Sequence, residues 1–251
     1  MFAPDDLTAD GFLDGRLRIL QPKAGFRSAM DAVLLAAAVP ARRGDRVLEL
    51  GCGAGVASLC LLSRVPGIVA HALERQPAYA RLARTNAAAN ALPLTVEEGD
   101  LATMPAALRA QAFDVVFANP PYFASGSGTT ARDVGREDAQ REDTPLPVWI
   151  DAGLRRLRPG GTLVVIQAAE RLADLLEPLS GRTGALVILP LVPRAGRPAG
   201  RVLVRARKGA RAPLRLLSPL VLHAGPRHLR DGDDLSPEAR AILRDAAPID
   251  W

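Results

Sequence analysis

The stretch Arg46-Val47-Leu48-Glu49-Leu50-Gly51-Cys52-Gly53-Ala54-Gly55-Val56 decides how this chain is read. Residues 46–50 are a short apolar run of strand type, and residues 56–64 follow with helical periodicity. Glycines 51, 53 and 55 therefore occupy a strand-to-helix turn, where a missing side chain lets a ligand approach the backbone closely. A dinucleotide fingerprint would require glycine at position 56, but Val56 stands there and an acid, Glu49, precedes the turn. That spacing disfavours a nicotinamide dinucleotide.

Working outward, similar runs recur at 68–74, 94–98, 113–119, 162–167, 185–191 and 201–208, which with 46–50 makes seven predicted strands. Segments 56–64, 77–90, 105–110 and 146–157 separate the first five and suit helices or single turns. Such alternation predicts an α/β domain with a mainly parallel sheet and helices on both faces. The Pro- and Gly-rich link 192–200 is short and lacks a helical pattern, so the last strand is expected to return antiparallel. Ser28, Asp31 and the apolar run to Val39 read as a helix capped by Ser28 and stopped by Pro40. Residues 124–145 are polar and aperiodic, a long loop of functional or disordered type. One domain over 1–251 accounts for the length: an N-terminal segment and helix (1–45), a core sheet (46–211) and a tail (212–251).

The turn with its preceding acid resembles the first motif of class I methyltransferases. The resemblance implies a Rossmann-like fold and S-adenosylmethionine as cofactor, with Glu49, Gly51, Gly53 and Gly55 around its amino-acid end. Glu74 closes the second strand, where a carboxylate at the carboxyl edge of the sheet can accept two ribose hydroxyls. Gly99-Asp100 closes the third strand in the same manner. By resemblance, Asp100 would meet the adenine amino group and Leu101 would supply a backbone N–H.

The buried-type strand 113–118 delivers Asn119-Pro120-Pro121-Tyr122 to that same edge. An amino nitrogen on a base or an acyl group shares its lone pair with the conjugated system and is a poor nucleophile toward a sulfonium methyl. The Asn119 side-chain carbonyl and the Pro120 backbone carbonyl can accept the two amino hydrogens and favour a localised lone pair. Both prolines restrict the backbone that aims them, and Tyr122 can stack on a planar substrate. Transfer to an activated sulfonium requires no metal, and no metal-ligand spacing is evident in the sequence.

With these motifs in hand, the chain resembles the bacterial tRNA(Val) adenine-N6 methyltransferases, which share a "small" methyltransferase domain. The likeness extends to Gln21-Pro22-Lys23-Ala24-Gly25-Phe26-Arg27 and to Asp31-Ala32-Val33-Leu34-Leu35. It implies that this upstream segment packs over the cofactor, with Phe26, Arg27 and Asp31 as edge contacts. It also implies adenine N6 in RNA, with tRNA the expected class, as the methyl acceptor. Asn-Pro-Pro-Tyr occurs as well in enzymes that methylate glutamine N5 of release factors, and guanine-N2 methylation of ribosomal RNA, usually the work of larger chains, is a third option. About 45 residues before the first strand leave little room for the helical substrate domain usual in the former. A non-enzymatic S-adenosylmethionine- or RNA-binding module is the remaining alternative.

Composition is consistent with these readings. The 48% apolar and 24% charged residues are those of a folded chain. The net charge of +5 is almost wholly arginine, Lys23 and Lys208 being the only lysines, and suits a polyanionic partner or a GC-rich genome alike. Cys52 and Cys60 read as reduced thiols, and no stretch has the length of a membrane span, so a cytoplasmic protein is expected. Candidate phosphate contacts are Arg132, Arg136 and Arg141 in the long loop, where Asp133, Glu137, Asp138, Glu142 and Asp143 offset them. Better placed are Arg194, Arg197, Arg201, Arg205, Arg207, Lys208 and Arg211, if alternation aligns several on one face.

Overall fold

A computed structural model describes residues 2–124, 141–142, 144–225, 227 and 234–251. The chain opens with an antiparallel hairpin, β1 (Leu7–Phe12) and β2 (Leu17–Pro22), followed by α1 (Met30–Ala38). The first half of the sheet then alternates with helices: β3 (Arg46–Leu50), α2 (Val56–Arg64), β4 (Val69–Glu74), α3 (Pro77–Ala89), β5 (Leu94–Glu98), α4 (Ala106–Arg109) and β6 (Phe113–Ala118). Two short strands, β7 (Phe123–Ala124) and β8 (Arg141–Glu142), pair in parallel beyond it. The second half runs through α5 (Leu146–Arg156), β9 (Leu157–Ala168), α6 (Leu172–Leu176), β10 (Thr183–Val192), β11 (Arg201–Lys208), β12 (Arg215–Leu216), β13 (Leu220–Val221) and α7 (Pro237–Asp245).

The main sheet has the order β12-β10-β11-β9-β6-β3-β4-β5, with β13 also pairing with β10. Strand β11 runs antiparallel to both of its neighbours, whereas β3, β4, β5, β6 and β9 are mutually parallel. Their period-2 alternation feeds two cores. Val47, Val115 and Phe117 pack with α1 and α2 on one face, while Leu48, Leu50 and Val116 pack with α5 on the other.

Four expectations need correction. Among the described residues the sheet has nine strands, not seven, because β12 and β13 add two-residue pairings to the outer edge of β10. The hairpin β1–β2 was not foreseen, although Asp14-Gly15 in its tight link is a hairpin-turn signature; Leu13, Asp14 and Gly15 all stand at positive φ, and only Leu13 is unusual there. Helix α1 starts at Met30 with Ala29, not Ser28, at the cap position, so it has no side-chain cap; the Ser28 main chain is bound instead to the Gln21 amide. Strand β9 begins at Leu157, five residues early, and absorbs Arg158-Pro159-Gly160-Gly161 through a register shift against β6. Arg132 and Arg136 lie outside the described residues.

Interior placement also breaks up the row of basic residues on β11. Arg201 points to the carboxyl edge of the sheet, Arg205 lies 4.9 Å over the Trp251 ring, and Arg207 donates to Gly160 O. Lys208 donates to the Leu154 and Leu157 carbonyls, each at 2.7 Å. A strand paired on both sides spends these cations on the fold rather than presenting them as one strip.

Candidate active site

A cavity of about 370 Å³ opens at the carboxyl ends of β3, β4, β5 and β6, a size that suits a small-molecule ligand. Its floor is the glycine turn. The N–H groups of Gly51 and Cys52 both donate to Leu73 O, at 2.8 and 3.1 Å, which folds the turn back onto β4. Gly51 has φ +67°, and a Cβ there would lie 2.4 Å from the Trp149 ring. Gly53 has φ +54°, with the Phe26 ring 3.4 Å from where its Cβ would stand. Glycine is required at both positions by backbone conformation, and at Gly51 by the neighbouring ring as well.

Glu74 lines the cavity. Its Oε2 accepts from Gly53 N and its Oε1 from Gln76 N, each at 2.8 Å, which leaves further lone pairs on both oxygens. Burial raises its pKa, and the backbone donors Gln76 and Gly53 partly oppose that rise. Asp100 and Leu101 also line the cavity, and Asp100 Oδ1 accepts from Ala102 N at 2.7 Å.

Two of the expected cofactor contacts stand elsewhere. Glu49 is 3% exposed and does not line the cavity; its Oε2 accepts from both the N–H and the hydroxyl of Ser58 behind the turn. Burial pushes this carboxyl up to about 8, against the lowering effect of the Ser58 bonds. Gly55, at φ +87°, caps α2 and faces Ala83 of α3. Both face the packed interior because the turn curls over them.

The covering segment is tied down by polar contacts. Arg27 lines the cavity while its guanidinium donates to Asp10 Oδ2 at 2.7 Å and to Pro22 O at 3.2 Å, joining the segment to the hairpin. The Tyr79 hydroxyl donates to Phe26 O at 2.9 Å. Asp31 is turned toward Tyr122, whose hydroxyl donates to its Oδ2 at 2.6 Å. Arg201 Nε donates to the same oxygen at 3.2 Å. Burial, then Asp31, raises the Tyr122 pKa, so the phenol stays protonated.

Asn119, Pro120, Pro121 and Tyr122 also line the cavity, after the strand β6 that pairs with β3. Asn119 Oδ1 is buried and has no hydrogen-bond partner among the described residues. An acceptor in that state costs free energy, about 1–3 kcal/mol, unless a ligand donor meets it. Pro121 O accepts from Gln167 Nε2 at 3.3 Å, and Gln167 itself is fully buried.

Trp149, Gln167 and Arg201 are site residues that sequence reasoning did not place here. Trp149 stands on α5, in a segment that the sequence marked only as helical. Gln167 carried a usable signal, a polar side chain ending the apolar run 163–166. Arg201 had been assigned to a phosphate strip. No cluster of three or more His, Cys, Asp or Glu able to hold a metal occurs among the described residues.

Residues 28–184 match the model of the family "Methyltransferase small domain". The chain is 30% identical over 206 residues to a tRNA1(Val) (adenine(37)-N6)-methyltransferase of Aeromonas hydrophila, covering 79% of this chain and 84% of that protein. A protein of the same description from Dickeya chrysanthemi is 28% identical, covering 95% of this chain and 94% of that one. Among solved structures, a predicted O-methyltransferase from Agrobacterium tumefaciens aligns with TM-score 0.69 and 27% identity, over 87% of this chain and 98% of that one. An S-adenosylmethionine-dependent O-methyltransferase from Thermotoga maritima shares the fold at TM-score 0.54 and 17% identity, covering 74% of this chain and 68% of that one.

Proposed function

The chain belongs to the methyltransferase small-domain family and groups with the tRNA1(Val) (adenine(37)-N6)-methyltransferases, and on that premise we propose that it transfers a methyl group from S-adenosylmethionine to N6 of an adenine in tRNA. The observation that carries the reading is the buried, unpartnered Asn119 Oδ1 in the wall of a cavity large enough for a cofactor. The donor set around the cavity fits the cofactor: Glu74 for a hydroxyl pair, Asp100 and Leu101 for an adenine edge, and Gly51 and Gly53 for close backbone approach. Arg27 contributes by fixing the covering segment. When bound, S-adenosylmethionine supplies a methyl group on a positively charged sulfur.

Asn119 Oδ1 accepts one hydrogen of the target amino group, and the Pro120 carbonyl accepts the other. The nitrogen lone pair is thereby held out of the ring system and aimed along the transfer line. Pro121 and its bond from Gln167 hold the turn that aims them. Tyr122 offers a ring for stacking. The methylated nitrogen then loses one of its protons to water at the open side of the cavity, which restores the neutral amine.

RNA is the partner in this reading, and the cytoplasm its place of action. No helix among the described residues is long and apolar enough to cross a membrane. The test is parallel incubation of labelled S-adenosylmethionine with unmodified total tRNA, with ribosomal RNA and with a release factor, followed by nucleoside or protein identification. N6-methyladenosine is the expected product; label confined to a release factor, or appearing as N2-methylguanosine in ribosomal RNA, would overturn the assignment.

A further inference from the structure

Asp31, Tyr122 and Arg201 lie on α1, on the turn after β6 and on β11, with 91 residues between the first two and 170 between Asp31 and Arg201. Besides its two bonds to Asp31, the trio is joined by a cation–π contact: Arg201 Cζ lies over the Tyr122 ring, 4.2 Å from its centroid. Arg201 Nη1 donates to Gly200 O at 2.9 Å, and its backbone is paired with Ala168 on one side and Leu191 on the other. The guanidinium is therefore anchored at both its base and its head. A phenol ring free at its hydroxyl end swings about two torsions, but here the hydroxyl and one face are held together. All three residues line the same cavity as Asn119, whose Oδ1 is buried and unpartnered.

We infer that Asp31 and Arg201 are positioning residues that brace Tyr122, leaving one ring face to receive the substrate base at the height of Asn119 Oδ1. The inference rests on the methyl-transfer reading for what occupies that face. The guanidinium covers one face of the ring, so a base stacks on the other. Lysine would keep the charge but lose the flat stack and the directed Nε–H. Asp31, a single acceptor for both partners, couples the hydroxyl to the guanidinium.

The protein has two tyrosines, Tyr79 and Tyr122, so ring-labelled tyrosine gives NMR signals that Tyr122→Phe assigns. Full-length wild type, Arg201→Lys, Arg201→Met and Asp31→Asn are compared by the Tyr122 signal, by S-adenosylmethionine affinity and by kinetics on unmodified tRNA. The expected result is a displaced Tyr122 signal in each variant, cofactor Kd within about twofold of wild type and kcat lowered about tenfold or more. Arg201→Met should cost nothing further in a Tyr122→Ala background, because the brace has then lost its object. An unmoved Tyr122 signal, a cofactor affinity that falls as far as turnover, or additive losses in the double variant would overturn the inference. If the wild type makes no N6-methyladenosine, the functional reading fails, and the Tyr122 signal still decides whether the brace exists.

Discussion

At the scale of single residues, the site turns on groups whose hydrogen bonding is incomplete or whose charge is costly. Asn119 Oδ1 is buried without a partner, so its removal costs the protein little and the reaction much. Asn119→Ala should lower turnover about 10²- to 10³-fold, with cofactor Kd within about twofold. Steady-state kinetics beside calorimetry check this, and equal losses in both would remove the proposed role. Glu49 presents the opposite case. Its folded-state pKa of about 8 lies above the ordinary 4.5, so its contribution to stability is complete below the lower value and is lost as pH rises through the higher one. Glu49→Gln keeps an acceptor for Ser58 and removes the titration. Urea midpoints should show the variant gaining on wild type as pH rises from about 5 to about 8; a constant difference would contradict the buried, protonated carboxyl.

At the scale of elements, two joints hold the cavity open. The glycine turn meets α5 through Gly51 and Trp149, where a methyl group has neither space nor an easy backbone conformation. Gly51→Ala should destabilise by about 1–3 kcal/mol, and Trp149→Leu in the same chain should recover only the part that comes from the clash. Denaturant titration of the single and double variants separates these two parts. The second joint is the outer edge of β2, which α3 covers with side chains. Asn90 exchanges two hydrogen bonds with the main chain of Arg18, and Asn86 does the same with Leu20 while also donating to Ala54 O in the glycine turn. Asn86 in the last turn of α3 and Asn90 at its C-cap, four apart, thus serve residues two apart on a strand. Asn86 is fully buried, so Asn86→Ala should cost about 2–3 kcal/mol, and Asn90→Ala, at the wetter end, about 1 kcal/mol. Equal losses would mean that burial does not set the cost.

At the scale of the whole molecule, the cavity opens on one edge of the sheet, and the arginines are divided between both edges. Arg197, in the link between β10 and β11, is exposed at the carboxyl edge that Arg201 shares with the cavity, whereas Arg211 lies past the far end of β11 at the opposite edge. A polyanion whose base enters the cavity meets the first and not the second. Arg197→Glu should raise KM for tRNA several-fold and flatten its salt dependence, while Arg211→Glu should leave both unchanged. Kinetics at two salt concentrations decide the matter, and equal effects would indicate a diffuse rather than one-edged approach.

Local pattern was sufficient for the alternating strands and helices, the parallel sheet with its reversed last strand, the glycine turn and the Asn-Pro-Pro-Tyr turn. Each is a property of neighbouring residues: period-2 burial, the missing Cβ of glycine, the fixed φ of proline. Burial and pairing over long sequence distances were decided only by the tertiary structure. It turned Glu49 away from the cavity toward Ser58, spread the cations of β11 among separate partners, and brought Asp31 and Arg201 together on Tyr122. Side-chain partners a hundred residues apart leave no periodic trace, because the chain's own spacing carries no information about which strands will lie side by side.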